Sequence, residues 1–232
     1  MSLRSSKLGS SVAMKYFMAI TGLGWFVFVI AHLIGNLLLL SGDPQIFNRY
    51  SHTLISIGFP LVIAEIVLLV GLLVHVFSAL SVTLDNWRAR SQGYAVYRSR
   101  GAPSKKTISS SSMIYTGIVL AIFIPLHVFK FKYGPGIDQG YEVVMDGEKV
   151  RDLHRLVVEV FSSKWYVAWY VAAVTFLGFH LRHGFWSAFQ SLGLYHPKLT
   201  KVAYVLGLVF AVLLGLGFIV IPLWVYFNGA NV

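Results

Sequence analysis

Apolar residues fill five windows of the chain with little interruption, at about 14–40, 59–83, 112–131, 165–188 and 202–227. Crossing roughly 30 Å of hydrocarbon takes about 20 helical residues at about 1.5 Å each, so every window is long enough to span a bilayer. Polar and turn-forming residues collect between the windows, with SGDPQIFNRYSHTLISIG after the first, a basic stretch at 84–111 and an acidic one at 132–164. The pattern predicts an all-α, polytopic membrane protein of five transmembrane helices, read as one membrane domain over residues 1–232. The first run is too long for a signal-peptide core and no small-residue cleavage site follows it, so it is read as a membrane helix.

Within this frame the connecting segments have local signals. The 41–58 segment reads as a short, turn-rich loop broken at Asp43-Pro44. In KVRDLHRLVVEVF, Val150, Leu153, Val157 and Val160 share a face. That predicts a helix lying on the outer surface, with His154 at the interface. Pro125 predicts a kink in the third run, and Gly207, Ala211 and Gly215 form a small-residue packing stripe in the fifth.

Composition excludes a soluble globule, since 56% of the 232 residues are hydrophobic and only 12% are charged. There is no cysteine, which rules out a disulfide, an iron–sulfur cluster or a thiolate metal site on this chain. The net charge of +10 would point to nucleic acid in a soluble protein, but its location matters more here than its size. Arg4, Lys7, Lys15, Arg88, Arg90, Arg98, Arg100, Lys105, Lys106, Arg182, Lys198 and Lys201 fall on one face of the five-helix topology, against the single acid Asp85. By the positive-inside rule the amino terminus and the 84–111 loop lie in the cytoplasm and the carboxyl terminus outside, with no nucleic-acid partner. The 84–111 loop also exceeds what an antiparallel helix pair needs, and reads as a docking surface for a cytoplasmic partner.

Four of the apolar runs carry a histidine: His32, His75, His127 and, beside Arg182 and His183, His180. Ionisable groups inside a bilayer are expensive, so each is a candidate functional group. Counted along the helices, His75 and His180 lie about 14 Å from the cytoplasmic boundary, and His32 and His127 about 27 and 22 Å from it. The histidines thus sort by depth into an inner pair, His75 with His180, and an outer pair, His32 with His127. Two stacked imidazole pairs from facing helices are what two six-coordinate b haems require, one axial nitrogen from either side of each iron. A zinc ion would want a third or fourth ligand at one depth. Lys15, Arg182 and His183 lie towards the inner boundary, where cationic and hydrogen-bonding groups suit haem propionates.

The stretches GSSVAMKYFMAITGL, VIAHLIGNLLLLSG, FNRYSH, AEIVLLVGLLVH and FHLRHGFWSAFQSLGLYHPK together resemble the cytochrome b membrane anchor of succinate:quinone oxidoreductases, the five-helix dihaem type of succinate dehydrogenases and fumarate reductases. The resemblance implies His180 as the fourth-helix ligand with His183 beside it. It also implies a flavoprotein subunit with FAD and an iron–sulfur subunit on the cytoplasmic face of a bacterial inner membrane. Electrons would then pass from the clusters through the inner and outer haems to a quinone, menaquinone being expected. Where some relatives have an acid, this chain has Asn48 and Gly178. No transmembrane proton path through the fourth helix is therefore implied, and Glu65, Asn36, Tyr50 and His52 are left as outer quinone candidates. Two alternatives stay open: the cytochrome b subunit of a hydrogenase or formate dehydrogenase, with the same haems but no response to succinate, and a colourless histidine-relay proton transporter.

Overall fold

The computed structural model describes residues 10–89, 107–194 and 196–229. Five long helices dominate it: α1 (Ser11–Asn36), α3 (Phe59–Arg88), α5 (Met113–Phe131), α7 (Lys164–Ser191) and α8 (Pro197–Asn228). Shorter elements sit between them: α2 (Pro44–Ser56), α4 (Ile108–Ser111), the strands β1 (Glu142–Met145) and β2 (Glu148–Arg151), and α6 (Leu153–Phe161). Most of the 84–111 segment read as a docking loop lies outside the described residues.

Among the described residues four helices are long and apolar enough to cross a membrane, namely α1 with the 3-10 turn that extends it, α3, α5 and α8. Their side chains point outward in the way a lipid-facing helix requires. On α3, Leu69, Val70, Leu73 and Phe77 are each more than half exposed, which is unfavourable in water and neutral in hydrocarbon. The chain is a multi-pass membrane protein. The fifth predicted span, α7, is long enough at 28 residues, but Trp165, Tyr166, Trp169 and Tyr170 near its start and His180, Arg182 and His183 near its end dilute its apolar character.

The chain divides into two compact units. One comprises residues 1–27, 68–118 and 179–211, and the other 28–67, 119–178 and 212–232. In the first, Phe26, Phe185 and Phe210 pack ring against ring at 4.9–5.6 Å. Trp186 stacks on Tyr204 at 4.4 Å. Gly207 lets α8 approach α7, because a Cβ there would stand 3.3 Å from the Arg182 carbonyl oxygen. In the second unit the small pair Gly215 and Gly178 does the same at 3.9 Å.

The second unit also holds a polar cap built from segments that read as loops. Asp43-Pro44 does not break the chain but starts α2, with the Asp43 carboxylate accepting from the Gln45 amide at 2.9 Å and Pro44 at the first helical position. Both are helix-start signals. The acidic stretch contains an antiparallel hairpin whose turn residues, Asp146 and Gly147, have φ of 54° and 84°. Positive φ at both central positions suits the strand twist and accounts for the Asp-Gly sequence. The amphipathic helix predicted after it is α6, capped by Asp152 through the Arg155 amide.

Asn48 ties the cap together. Only 1% exposed, it donates from its amide to the Asp152 carboxylate at 2.8 Å and accepts from the His154 backbone N–H at 2.9 Å. His154, read from sequence as interfacial, is buried beneath this crosslink at 4% exposure. Burial pushes its pKa below the ordinary imidazole value, with Asp152 and Asp43 pulling weakly the other way. Asn48→Ala strands the buried His154 N–H and the half-buried Asp152 carboxylate and is expected to destabilise the cap by about 1–3 kcal/mol. Amide hydrogen exchange of residues 148–161 would accelerate accordingly, whereas Arg49→Ala, which removes an exposed ion pair to Asp146, leaves exchange there unchanged.

Candidate functional site

Each compact unit holds one pair of the four histidines. In the first, His75 on α3 and His180 on α7 face each other with ring centroids 6.3 Å apart and planes at 60°. In the second, His32 on α1 and His127 on α5 are 5.7 Å apart with planes at 89°. The partners inferred from depth are the partners the fold brings together.

The hydrogen bonds of the inner pair decide which ring nitrogen is free. His75 Nδ1 lies 3.0 Å from the Met18 carbonyl oxygen and 3.3 Å from Thr21 Oγ1. A carbonyl only accepts, and the Thr21 hydroxyl already donates to Phe17 at 2.6 Å, so Nδ1 carries the proton. His180 Nδ1 lies 3.2 Å from Thr116 Oγ1, whose own hydrogen goes to a backbone carbonyl of its helix, Met113 at 3.1 Å or Ser112 at 3.2 Å. Both rings therefore donate through Nδ1 and keep the Nε2 lone pair available, as a metal-ligating imidazole does.

In the outer pair, His127 Nδ1 is 3.3 Å from the Tyr170 hydroxyl. Tyr170 is 7% exposed and held by Phe123, Phe131 and Phe161 at 4.9–6.0 Å. His32 is anchored through its backbone, its carbonyl accepting from the Asn36 amide at 2.7 Å, with the ring nitrogens 3.4–3.5 Å from the same amide. Aromatic faces cover both rings, Phe28 on His32 at 5.3 Å and Phe123 on His127 at 5.6 Å.

Two imidazoles bound to one iron at about 2 Å, each nitrogen roughly 1 Å from its ring centre, have centroids about 6 Å apart. Both pairs match that spacing. Glycines leave room against the inner rings: a Cβ at Gly22 would stand 3.1 Å from His75 Cε1, and one at Gly117 3.6 Å from His180 Cε1. Among the described residues no group of three His, Asp or Glu side chains converges as a protein-only metal cage requires. Close Cα approaches between elements concentrate in the cap, while the long helices meet only at scattered points. Helices packed directly on one another run about 8–10 Å apart along a shared face. The residues present fit a planar metal cofactor held from both sides by two histidines.

The remaining predicted site residues divide. His183 stands one turn beyond His180, edge-on to Trp186 at 5.3 Å, with a buried Nδ1. Arg182 and Lys15 are exposed. Asn36 is drawn to His32, but Glu65 pairs with Lys132, and Tyr50 packs so closely on Gly35 that a Cβ there would clash with its ring. His52 faces outward on α2. No hydrogen bond or ring contact joins Glu65, Tyr50 or His52 to either outer histidine among the described residues. Sequence reading did not single out Thr21, Thr116 and Tyr170, which hold the rings. Thr21 is a lone hydroxyl inside an apolar run, whereas Thr116 follows Tyr115 and a serine run and Tyr170 follows Tyr166.

Comparison of the chain with protein-family models, with curated proteins and with solved structures found no match. Tyr170→Phe removes the hydroxyl that meets His127 and keeps the packing. It is expected to weaken retention of a metal group at the outer pair by roughly 10- to 100-fold. Metal per purified chain is the readout, and an unchanged content would mean that the hydroxyl has no part in holding the ring.

Proposed function

We propose that this chain is the dihaem cytochrome b membrane anchor of a succinate:quinone oxidoreductase, carrying electrons from an iron–sulfur subunit to a quinone, with menaquinone expected. The observation that carries the reading is the pair of facing histidines in each unit, at 6.3 and 5.7 Å, with Nδ1 engaged in three of the four rings. The resemblance of 179–198 and of the four shorter stretches to that family supports the choice among haem-binding membrane proteins.

On this reading α7 is the fifth span. Its polar end is tolerated because His180 is satisfied by Thr116 and Arg182 is long enough to reach the interface. The amino terminus is cytoplasmic, the membrane is the bacterial inner membrane, and succinate chemistry belongs to the flavoprotein partner. Haem b, when bound, supplies a one-electron iron centre with a wide conjugated ring. His75 and His180 would hold one such group, and His32 and His127 the other. The Met18 carbonyl with Thr21, and Thr116, fix the tautomer and tilt of His75 and His180, which raises ligand basicity, and Tyr170 holds the tilt of His127. Phe28, Phe123, Phe131 and Phe161 keep water from the outer rings. Asn36, the polar side chain that reaches His32, is the foremost quinone candidate.

Purified with its partner subunits, the protein should show b-type haem reduced at least partly by succinate. His75→Ala or His180→Ala should remove one haem, and His32→Ala or His127→Ala the other. Haem indifferent to succinate would transfer the chain to another respiratory complex, and two haems retained in any single variant would overturn the ligand assignment.

A further inference from the structure

The tyrosine that meets His127 is itself held in place by rings from more than one element. Phe123, Phe131 and Phe161 stand edge-on to Tyr170, at 4.9, 6.0 and 4.9 Å with planes at 78–82°. Phe123 and Phe131 lie one turn to either side of His127 on α5 and move with it. Phe161 belongs to neither α5 nor α7. It is the last residue of α6, is 4% exposed, and also reaches Phe131 at 6.0 Å. Edge-on ring pairs have a preferred geometry as well as buried area, so the place of Phe161 bears on the tilt of Tyr170.

What places Phe161 lies at the other end of α6. Nine residues are too few for a helix to persist by propensity, so α6 depends on its anchors. Its first turn is fixed by Asn48, which accepts from the His154 N–H at 2.9 Å and donates to the capping Asp152 at 2.8 Å. Its middle is gripped along one face: Leu156, Val157 and Val160 are buried, and a Cβ at Gly134, just past α5, would stand 3.2 Å from Leu156 Cδ2. Leu153 and Phe161 are about 12 Å apart along the axis at about 1.5 Å per residue. A short helix packed in this way moves as a unit, because close-packed interiors transmit displacement. A loosened first turn is therefore felt at Phe161.

We infer that Phe161 is a positioning residue for the outer pair: it steers the Tyr170 hydroxyl onto His127, and Asn48, by fixing α6, sets where Phe161 stands. The inference rests on the dihaem reading and gives the polar cap a part in it, tuning the outer haem through packing. Ring tilt matters because the electronic levels of a bis-imidazole iron follow the angle between its two ring planes, 89° for His32 and His127.

The test uses the purified complex, read by low-temperature electron paramagnetic resonance and by potentiometric titration of both haems, the outer haem being the one that His127→Ala removes. Phe161→Leu removes the ring and keeps an apolar side chain, and Asn48→Ala releases the first turn of α6. Each should move the largest g value of the outer haem and shift its midpoint potential by roughly 20–60 mV, a two- to tenfold change at about 59 mV per decade for one electron. The inner haem should stay unchanged. With Tyr170→Phe already in place, neither substitution should shift the outer haem further, because both act through that hydroxyl. Unmoved values in either variant overturn the inference, and so does an equal shift with and without the Tyr170 hydroxyl. If either variant loses haem, Phe161→Met and Asn48→Ser decide by the same two quantities. A wild-type complex without two haems overturns the dihaem reading itself, before any substitution is made.

Discussion

An imidazole in a hydrocarbon environment must have both of its nitrogens answered, and much of the arrangement here follows from that constraint. Water is absent from the bilayer core, so each ring needs a fixed donor or acceptor for one nitrogen and a purpose for the other. In three of the four rings Nδ1 is answered by a side chain or a backbone carbonyl of a neighbouring helix. What remains in those three rings is Nε2, and each ring has a second imidazole at 5.7–6.3 Å. Four membrane histidines without this pattern would be four separate liabilities. With it they form two facing pairs.

The packing around the rings has the same logic. The long helices touch at points instead of along shared faces, and small residues mark those points, Gly207 and the Gly178–Gly215 approach among them. Aromatic rings cover the outer pair, and glycines and hydroxyls stand against the inner pair. The cap in the second unit is closed by a different device, a buried amide that ties α2 to the start of α6. Phe161 at the end of α6 packs on Tyr170 at 4.9 Å, and Tyr170 meets His127, so cap and outer ring share one contact chain.

Much of this was legible in the chain before its fold. Runs of apolar residues mark the long helices because hydrocarbon demands length and little else. The counted depth of each histidine pairs it with the neighbour it meets in space. Other features were misread or invisible for identifiable reasons. Asp43-Pro44 looked like a breaker, yet the same dipeptide starts a helix when Asp takes the cap and Pro the first turn. Asp146-Gly147 carried a hairpin signal that a reading of 132–164 as simply an acidic stretch passes over. Asn48 was weighed as a missing acid, while its amide serves both as donor to Asp152 and as acceptor from His154. The anchors Thr21, Thr116 and Tyr170 depend on which helices become neighbours, information that no local pattern holds.

The most direct test of the central claim is haem quantification of the purified chain together with low-temperature electron paramagnetic resonance of its oxidised form. The account predicts two b haems per chain, both low-spin with two nitrogen ligands. Fewer than two haems, or a high-spin signal from an iron with one axial histidine, would contradict it.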